Sequence, residues 1–493
     1  MSAGYDALRT EWEVVVGLET HVELGTRTKM FCGCSTELGA PPNSQVCPTC
    51  LGLPGALPVL NELAVELTVR IGLALHCDIA PWCRFARKNY FYPDQPKDFQ
   101  ISQYDEPLCV DGYLDVDDPE TGELVRVGIE RAHMEEDTGK TLHVGGATGR
   151  IHGATHSLVD YNRAGIPLVE IVTRPDIRSA AVARAYVGEL REVLRSIGAS
   201  AARMEQGQLR CDANTSVRRL GQPLGTRTET KNVNSLRAVE RAVRGEVERQ
   251  VVVLGGGGAV KQETRHFDET TGLTRPGRSK EEATDYRYFP EPDLTPLAVD
   301  DEYVSRIRES LPELPRERRA RLAEVLGFDA LALGQMSSAG VLDLVQETAA
   351  LGADPAAAQA VWMNDLAALA NERDLETGEL GVSAPDVARV LELRADGTLS
   401  AALVRQVLTA VADGEGGPDT VVEARGLRAL SDSGELQGLV DAAITANPDA
   451  VASIRAGKLG AVGQIMGAVM KASRGQADGK ATTALIRSTL GVG

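Results

Sequence analysis

Val14-Val15-Val16-Gly17-Leu18-Glu19-Thr20-His21-Val22-Glu23-Leu24 decides the architecture of the first part of this 493-residue chain. Its β-branched residues and its alternation predict a strand, whose successive side chains point to opposite faces. Leu18, Thr20, Val22 and Leu24 then share one face, and Glu19, His21 and Glu23 share the other. A glutamate and a histidine two apart on one face can hold a divalent cation. The same alternation also suits the solvated side of a half-buried strand.

Outward from this strand, the chain to about Leu297 is rich in β-branched residues, Gly, Pro and turn signals, whereas from Asp300 onward Ala, Leu, Arg and Glu dominate. This shift predicts an α+β protein with a mixed-sheet first domain over 1–299 and a helical remainder, which we divide into a helical domain over 300–395 and a helical tail over 396–493. The first boundary follows Tyr286 to Asp293, where Pro290 and Pro292 stop any regular element. Ser179 is a good N-cap for a helix carrying Val182, Tyr186, Leu190, Val193, Leu194 and Ile197, and Gly198 is its stop. Val251 to Leu254 running into Gly255 to Gly258 reads as a flexible hairpin loop. No internal repeat is visible.

A net charge of -18 argues against a general nucleic-acid or membrane-surface binder, so any RNA contact must come from a local basic patch. The N-terminus lacks the cationic start and apolar core of a signal peptide. No stretch approaches the ~18–20 unbroken apolar residues of a membrane span. The expectation is a soluble, cytoplasmic protein without membrane contact. In a reducing compartment its eight cysteines are thiols or metal ligands rather than a disulfide framework.

Cys32 and Cys34, then Cys47 and Cys50, form two short-spaced pairs joined by a loop with Gly39, Pro41, Pro42 and Asn43. Such a knuckle lets four thiolates converge on zinc at about 2.3 Å each, a closed and structural site. His133-Met134-Glu135-Glu136-Asp137 sets three acids beside a histidine; if enclosed, their repulsion calls for a cation, and carboxylate oxygens suit Mg²⁺. An acidic turn in water is the alternative. Thr138-Gly139-Lys140-Thr141 imitates the end of a phosphate loop, but Met134 stands where the first glycine is needed. Cations lie near aromatics over Arg87 to Asp94 and again from Arg265 through Arg287, where they can hold phosphates and stack bases or simply form surface loops. Lys231, Asn232 and Asn234 precede a helix beginning near Ser235, which makes an anion site or plain capping. From Val451 onward six basic residues (Arg455, Lys458, Lys471, Arg474, Lys480, Arg487) face one acid, Asp478. There Leu459, Val462, Met466 and Val469 form an apolar stripe, and Gly460, Gly463 and Gly467 would permit close backbone approach.

Together these blocks resemble one family, the B subunit of the glutamyl/aspartyl-tRNA amidotransferase, from about Val14 to Leu490. The resemblance is carried by Gly17 to Leu24, Phe31 to Cys34 with Cys47 to Gly55, Arg87 to Asp94 and His133 to Asp137. Asp160 to Glu170, Leu209 to Asn214 and Asp285 to Asp293 complete it. It implies a cradle-like catalytic domain and an ATP-dependent reaction on glutamate or aspartate esterified to the wrong tRNA. The side-chain carboxylate is phosphorylated, and ammonia displaces the phosphate to give Gln-tRNA or Asn-tRNA. By matching position, Glu19, His21, Glu135 and Glu136 would be catalytic, with Glu19, His21 and Glu135 holding Mg²⁺. Lys88, Arg163, Glu170, Asp212 and Lys231 would line the ATP site, and the four cysteines would bind Zn²⁺. Lys458, Lys471, Arg474 and Lys480 would contact tRNA through a helical tail. Ammonia would come through a channel from an amidase-type A subunit, with a small C subunit in the same heterotrimer. The family pattern leads one to expect leucine at Gln95 and glycine-tyrosine at Asp98-Phe99. Two other classes of function use the same residues: a metal-dependent hydrolase with His21 and Glu135 as ligands, which would work without ATP, and a non-catalytic tRNA-binding scaffold.

Overall fold

The computed structural model describes residues 4–145, 153–269, 271–279, 283–373, 375–429, 433–455, 459–473, 475–477 and 479–491. The chain divides into two compact units, Met1–Glu317 and Arg318–Gly493.

A nine-stranded sheet organises the first unit, and the opening strand, Trp12–Glu23, is its fifth and central member. On one side lie Leu209–Arg219, Thr228–Val233, Glu263–Asp268 and Leu273–Ser279; on the other lie Pro167–Thr173, Leu124–Glu136, Cys109–Asp117 and Asp78–Ile79. All neighbours are antiparallel except Thr228–Val233 with Glu263–Asp268, so the sheet is mixed. The α+β reading holds. The alternation holds as well: Leu18, Thr20 and Val22 are at most 1% exposed, while Glu19, His21 and Glu23 are half-buried.

Helices Glu62–Ala74, Ala180–Ser196 and Leu236–Gly255 cover the apolar face. Ser179 caps the second of these by accepting from Val182 N–H, and Gly198, at φ +68°, follows its end in the left-handed region. Ser235 caps the third in the same way, through Ala238 N–H. Contact between helix Glu62–Ala74 and the sheet is close because two positions lack side chains. A Cβ at Gly72 would overlap the Cys109 thiol, and one at Gly112 would overlap Cys77 and the Leu75 carbonyl. The hairpin reading of Gly255 to Gly258 is corrected: Val251 to Leu254 form the last turn of the 20-residue helix Leu236–Gly255, and the glycines end that helix. The valines follow a helical face here, with Val247 and Val251 buried and Val252 exposed, a periodicity that a run of four apolar residues conceals.

The second unit is helical. Leu342–Ala350, Pro355–Ala360, Ala384–Ala395, Ala401–Ala412 and Pro418–Arg425 enclose one core. Trp362 is fully buried there and its indole N–H donates to Thr348 Oγ1 at 3.0 Å. A smaller core gathers Leu436, Val440, Ile454, Ile465, Val469 and Ile486. The apolar stripe of the tail is core at Val462 and Val469, and the side chain of Leu459 lies outside the described residues. The glycine expectation is corrected, because a Cβ on Gly460, Gly463 or Gly467 would meet nothing within 4 Å among the described residues. No helix among the described residues is long and apolar enough to cross a membrane.

The outer strands of the sheet are tied down by one buried acid. Glu246, fully buried on helix Leu236–Gly255, accepts from Thr228 at 2.6 Å, Gln250 at 3.0 Å, Thr274 at 3.1 Å and Arg249 Nε at 3.0 Å. Burial alone would raise its pKa, but the hydrogen bonds from Arg249, Thr228 and Gln250 outweigh burial and hold it below the usual value. Its ionised form therefore stabilises the fold fully above the unfolded value of about 4.3, and that contribution is lost as pH falls through the lower folded value. Glu246→Gln is expected to cost roughly 1.5–3 kcal/mol at neutral pH. In urea denaturation the gap to wild type should narrow in acid, and a gap that stays constant would contradict an ionised Glu246.

Candidate active site

The register of the sheet brings distant segments onto the polar face. His21 lies opposite Arg210 on one neighbour and Glu170 on the other, and Glu170 lies opposite His133. One His21 nitrogen and one carboxylate oxygen each from Glu135 and Glu170 lie within 4.8 Å of one another. His21 Nδ1 is 2.9 Å from Glu135 Oε1, and His133 Nε2 is 3.3 Å from Glu170 Oε2. Burial would lower the His21 pKa, but the adjacent Glu135, and then Glu170, override it and hold the ring at about 9. His133 together with His21 keeps Glu170 well below the usual carboxylate range in spite of its burial. The acidic run is not a turn in water: Glu135, Glu136 and Asp137 are at most 5% exposed.

Of the sequence-predicted set, the structure gathers His21, Glu135 and Glu170. Glu19 stands one step along the strand, opposite Asp212, and accepts from Asn214 Nδ2 at 2.8 Å. Lys231 Nζ lies 2.7 Å from Asp212 and 3.4 Å from Glu229, and these acids, outweighing burial, raise its pKa. Lys88 Nζ sits 4.8 Å above the Tyr286 ring, and its charge helps to keep Glu170 ionised. Arg163 donates to the carbonyls of Thr138 and Gly139 at 3.0 and 3.1 Å. Asp137 lies between Arg163 at 3.3 Å and Arg210 at 3.0 Å.

Glu136 goes elsewhere. Being adjacent to Glu135 on a strand it points to the opposite face, where it accepts from Ile101 N–H at 2.9 Å and pairs with Lys97. It helps to line a cavity of about 230 Å³ that also touches Lys29, Phe31, Cys32 and Cys50. Cys32, Cys34, Cys47 and Cys50 bring their sulfurs within 4.8 Å of one another. Lys29, buried to 1% exposure, holds its ammonium 3.8 Å from the Cys50 sulfur; hydrogen bonding with Cys32 first, then with the Cys47 backbone, and the Lys29 charge pull that thiol down against burial.

The loop departures have a local account. Asp98, where the resemblance leads one to expect glycine, has φ +63°, a region that Asp tolerates better than most side chains. Gln95 is buried, and its amide donates to the Phe99 carbonyl, closing the same loop.

Several residues of the site were not singled out by sequence reasoning. Arg210 and Asn214 share the polar face with Asp212 by simple alternation, so that signal was present. Glu23 is another. Burial and the neighbouring Asp137 lift its carboxyl to about 7, against the pull of Arg210 and Arg163. Of the basic tail residues, Lys471 ends helix Val462–Ala472 and is exposed. Lys458, Arg474 and the side chain of Lys480 lie outside the described residues.

Residues 14–305 match the family model described as GatB/GatE catalytic domain, and residues 343–490 match the one described as GatB domain. The chain belongs to the GatB family. The B subunit of the aspartyl/glutamyl-tRNA(Asn/Gln) amidotransferase of Frankia casuarinae is 61% identical over 99% of this chain and 97% of its own length. GatB relatives of the same description from Thermobifida fusca and Mycobacterium avium are 59% and 55% identical, each over 99% of this chain, and 96% and 98% of their own lengths are covered. Membership of the GatB family makes the chain the B subunit of a tRNA amidotransferase.

The Lys97–Glu136 pair gives a direct test of the second face, since both side chains are at most 9% exposed. Lys97→Met would leave Glu136 buried without its cation and is expected to cost about 3–5 kcal/mol. The double variant Lys97→Met/Glu136→Gln should recover most of that loss in a denaturation cycle.

Proposed function

We propose that the polar face of the sheet activates a side-chain carboxylate for amidation. Glutamate or aspartate esterified to a non-matching tRNA would be phosphorylated by ATP, and ammonia would then displace phosphate to give the amide. A carboxylate is a poor electrophile and an acyl phosphate a good one, so activation must come first. The observation that carries this reading is the convergence of His21, Glu135 and Glu170 within 4.8 Å on a face that also bears Arg210 and Lys231, with the charge of Lys88 acting on Glu170 from the neighbouring three-stranded sheet. Phosphoryl transfer depends mainly on positioning and on neutralising charge.

Two carboxylates, with an imidazole that would give up its proton on binding, fit a divalent cation, and Mg²⁺ held there with Glu19 nearby would offset charge on the transferring phosphoryl group. The remaining work belongs to side chains whose positions are already fixed. Lys231, anchored by Asp212 and Glu229, and Lys88, poised over Tyr286, would hold phosphate oxygens. Arg163 and Arg210 brace Asp137 and so the end of the strand that carries Glu135.

Ammonia would come from outside this chain. Cys77, Cys83 and Cys211 are buried, and burial pushes their thiols up to about 12, 11 and 12; burial also holds Cys109 well above the ordinary thiol value. None of these is an activated nucleophile for hydrolysing glutamine. An amidase A subunit, with a small C subunit, would supply the ammonia. Residues 1–299 would form the catalytic domain, and the helical part that follows would end in a tail holding the tRNA through Lys458, Lys471, Arg474 and Lys480. The setting would be the cytoplasm.

Incubated with its A and C partners, ATP, Mg²⁺, glutamine and Glu-tRNA(Gln) or Asp-tRNA(Asn), the chain should yield the amide. No product, or equal product without ATP, would sink the proposal. Free ammonia should make the amidase partner dispensable while this chain is still required. Glu135→Gln should lower amidation by at least about 100-fold, the scale of losing one electrostatic group from such a site, while glutaminase activity persists.

The four-cysteine knuckle would hold a structural zinc, with Lys29 balancing the charge of the thiolates. Elemental analysis should find about one zinc per chain. Chelation should lower the unfolding temperature, and added zinc should restore it.

A further inference from the structure

The chain has only ten tyrosines and seven phenylalanines. Tyr90, Phe91, Tyr104, Tyr286, Tyr288 and Phe289 nevertheless gather on one rim, brought there by the three-stranded sheet Phe289–Pro290, Ala86–Asn89 and Phe99–Ser102. Tyr104 and Tyr288 stack with centroids 4.2 Å apart and planes 9° apart. Tyr288 meets Tyr286 edge-on at 6.1 Å, and Tyr286 meets Tyr90 edge-on at 6.4 Å. Tyr90, Phe91, Tyr286, Arg287 and Phe289 wall an open pocket of about 660 Å³.

Packing does not account for this rim. Phe91 is 80% exposed and Phe289 43%, so neither contributes much to a core. The turn between Tyr286 and Tyr288 is itself held in a costly shape. Arg287 has φ +47°, and Asn89 Nδ2 donates to the carbonyls of both Tyr286 and Arg287 at 3.1 and 2.8 Å. Arg87 fastens the following segment by a bidentate bond to Glu291 at 2.7 and 2.8 Å.

The ring chain leads to the carboxylate cluster. Burial, then the charges of Asp94 and Glu135, push the Tyr90 hydroxyl up; burial, then Glu170 and Glu135, do the same at Tyr288. Lys88 spans the two regions, with its ammonium over Tyr286 and its charge felt by Glu170.

We propose that this pocket stacks the unpaired 3′-terminal bases of the aminoacyl-tRNA, so that the esterified amino acid reaches Glu135 and Glu170. The inference rests on the amidation reading above and adds the element that positions the tRNA end. Aromatic faces accept any base, and single-stranded ends are recognised in this way, with nearby cations taking the phosphates. Arg287, exposed at the mouth, and Lys88, deeper in, are those cations. A pocket whose walls open to solvent at Phe91 and Phe289 suits a strand end arriving from outside.

The test uses the complete complex and measures KM for aminoacyl-tRNA and for ATP separately. Phe91→Ala and Tyr286→Leu are each expected to raise KM for aminoacyl-tRNA about tenfold, the scale of one lost stacking contact, and KM for ATP is read in Phe91→Ala, which leaves the Lys88–Tyr286 contact intact and should stay within about twofold of wild type. Phe91→Trp and Tyr286→Phe should behave like wild type, because stacking needs the ring and not the hydroxyl. If KM for ATP rises instead, the pocket holds the adenine of ATP and the proposal fails. It fails equally if no constant moves. Should Tyr286→Leu unfold, the exposed Phe91→Ala decides alone. If the wild-type complex forms no amide, the amidation reading falls. Filter binding of aminoacyl-tRNA to the same variants then tests the pocket directly, and unchanged binding overturns it.

Discussion

Burial of alternate residues in the strand Trp12–Glu23 is the constraint on which the rest of the first unit depends. Val14, Val16, Leu18, Thr20 and Val22 are sealed beneath helices, so Glu19, His21 and Glu23 must lie on the opposite face. A slip of one residue would bury the acids and expose the valines, so the hydrophobic effect sets the register, and the register sets the chemistry. Because this strand is central and antiparallel to both neighbours, His21 is placed between Arg210 and Glu170, residues some 190 and 150 positions away in the chain.

The same principle separates Glu135 from Glu136. Adjacent in sequence and equally buried, they serve two different places: Glu135 joins His21 and Glu170, and Glu136 joins Lys97 behind the sheet, beside the cysteine knuckle. Buried acids near the sheet have cations beside them: Arg163 and Arg210 at Asp137, Lys97 at Glu136, Arg87 at Glu291, and Lys231 at Glu229. Such pairing is what permits so many carboxylates in a low-dielectric setting. It also explains how a chain of net charge -18 can bring acids together at one site without disrupting its fold.

Much of this was legible before any coordinates. The alternation of residues 14–24, the helix capped by Ser179, the cysteine knuckle and the helical character of the second unit all follow from periods, caps and spacings, which act over a few residues. Where the reading failed, a short segment was ambiguous. Val251 to Leu254 is too brief a run to tell strand from helix, and the glycines of the tail signalled close approach where the structure has open space. Asp98 is an instructive intermediate: only the backbone shows that this aspartate occupies a conformation that would suit glycine.

By itself, the sequence determined the class of each segment, the two faces of the central strand and the residue types available for metal and phosphate chemistry, because these depend on local sterics and on solubility. Tertiary structure alone decided which of those residues meet. It chose Glu170 over Glu19 as the third member of the His21–Glu135 cluster, turned Glu136 away, drew in Arg210 and Asp137, and set six aromatic rings on one rim. The reason is physical: such meetings come from strand order and register across the sheet, and those are settled by burial over the whole unit rather than by any stretch of the chain.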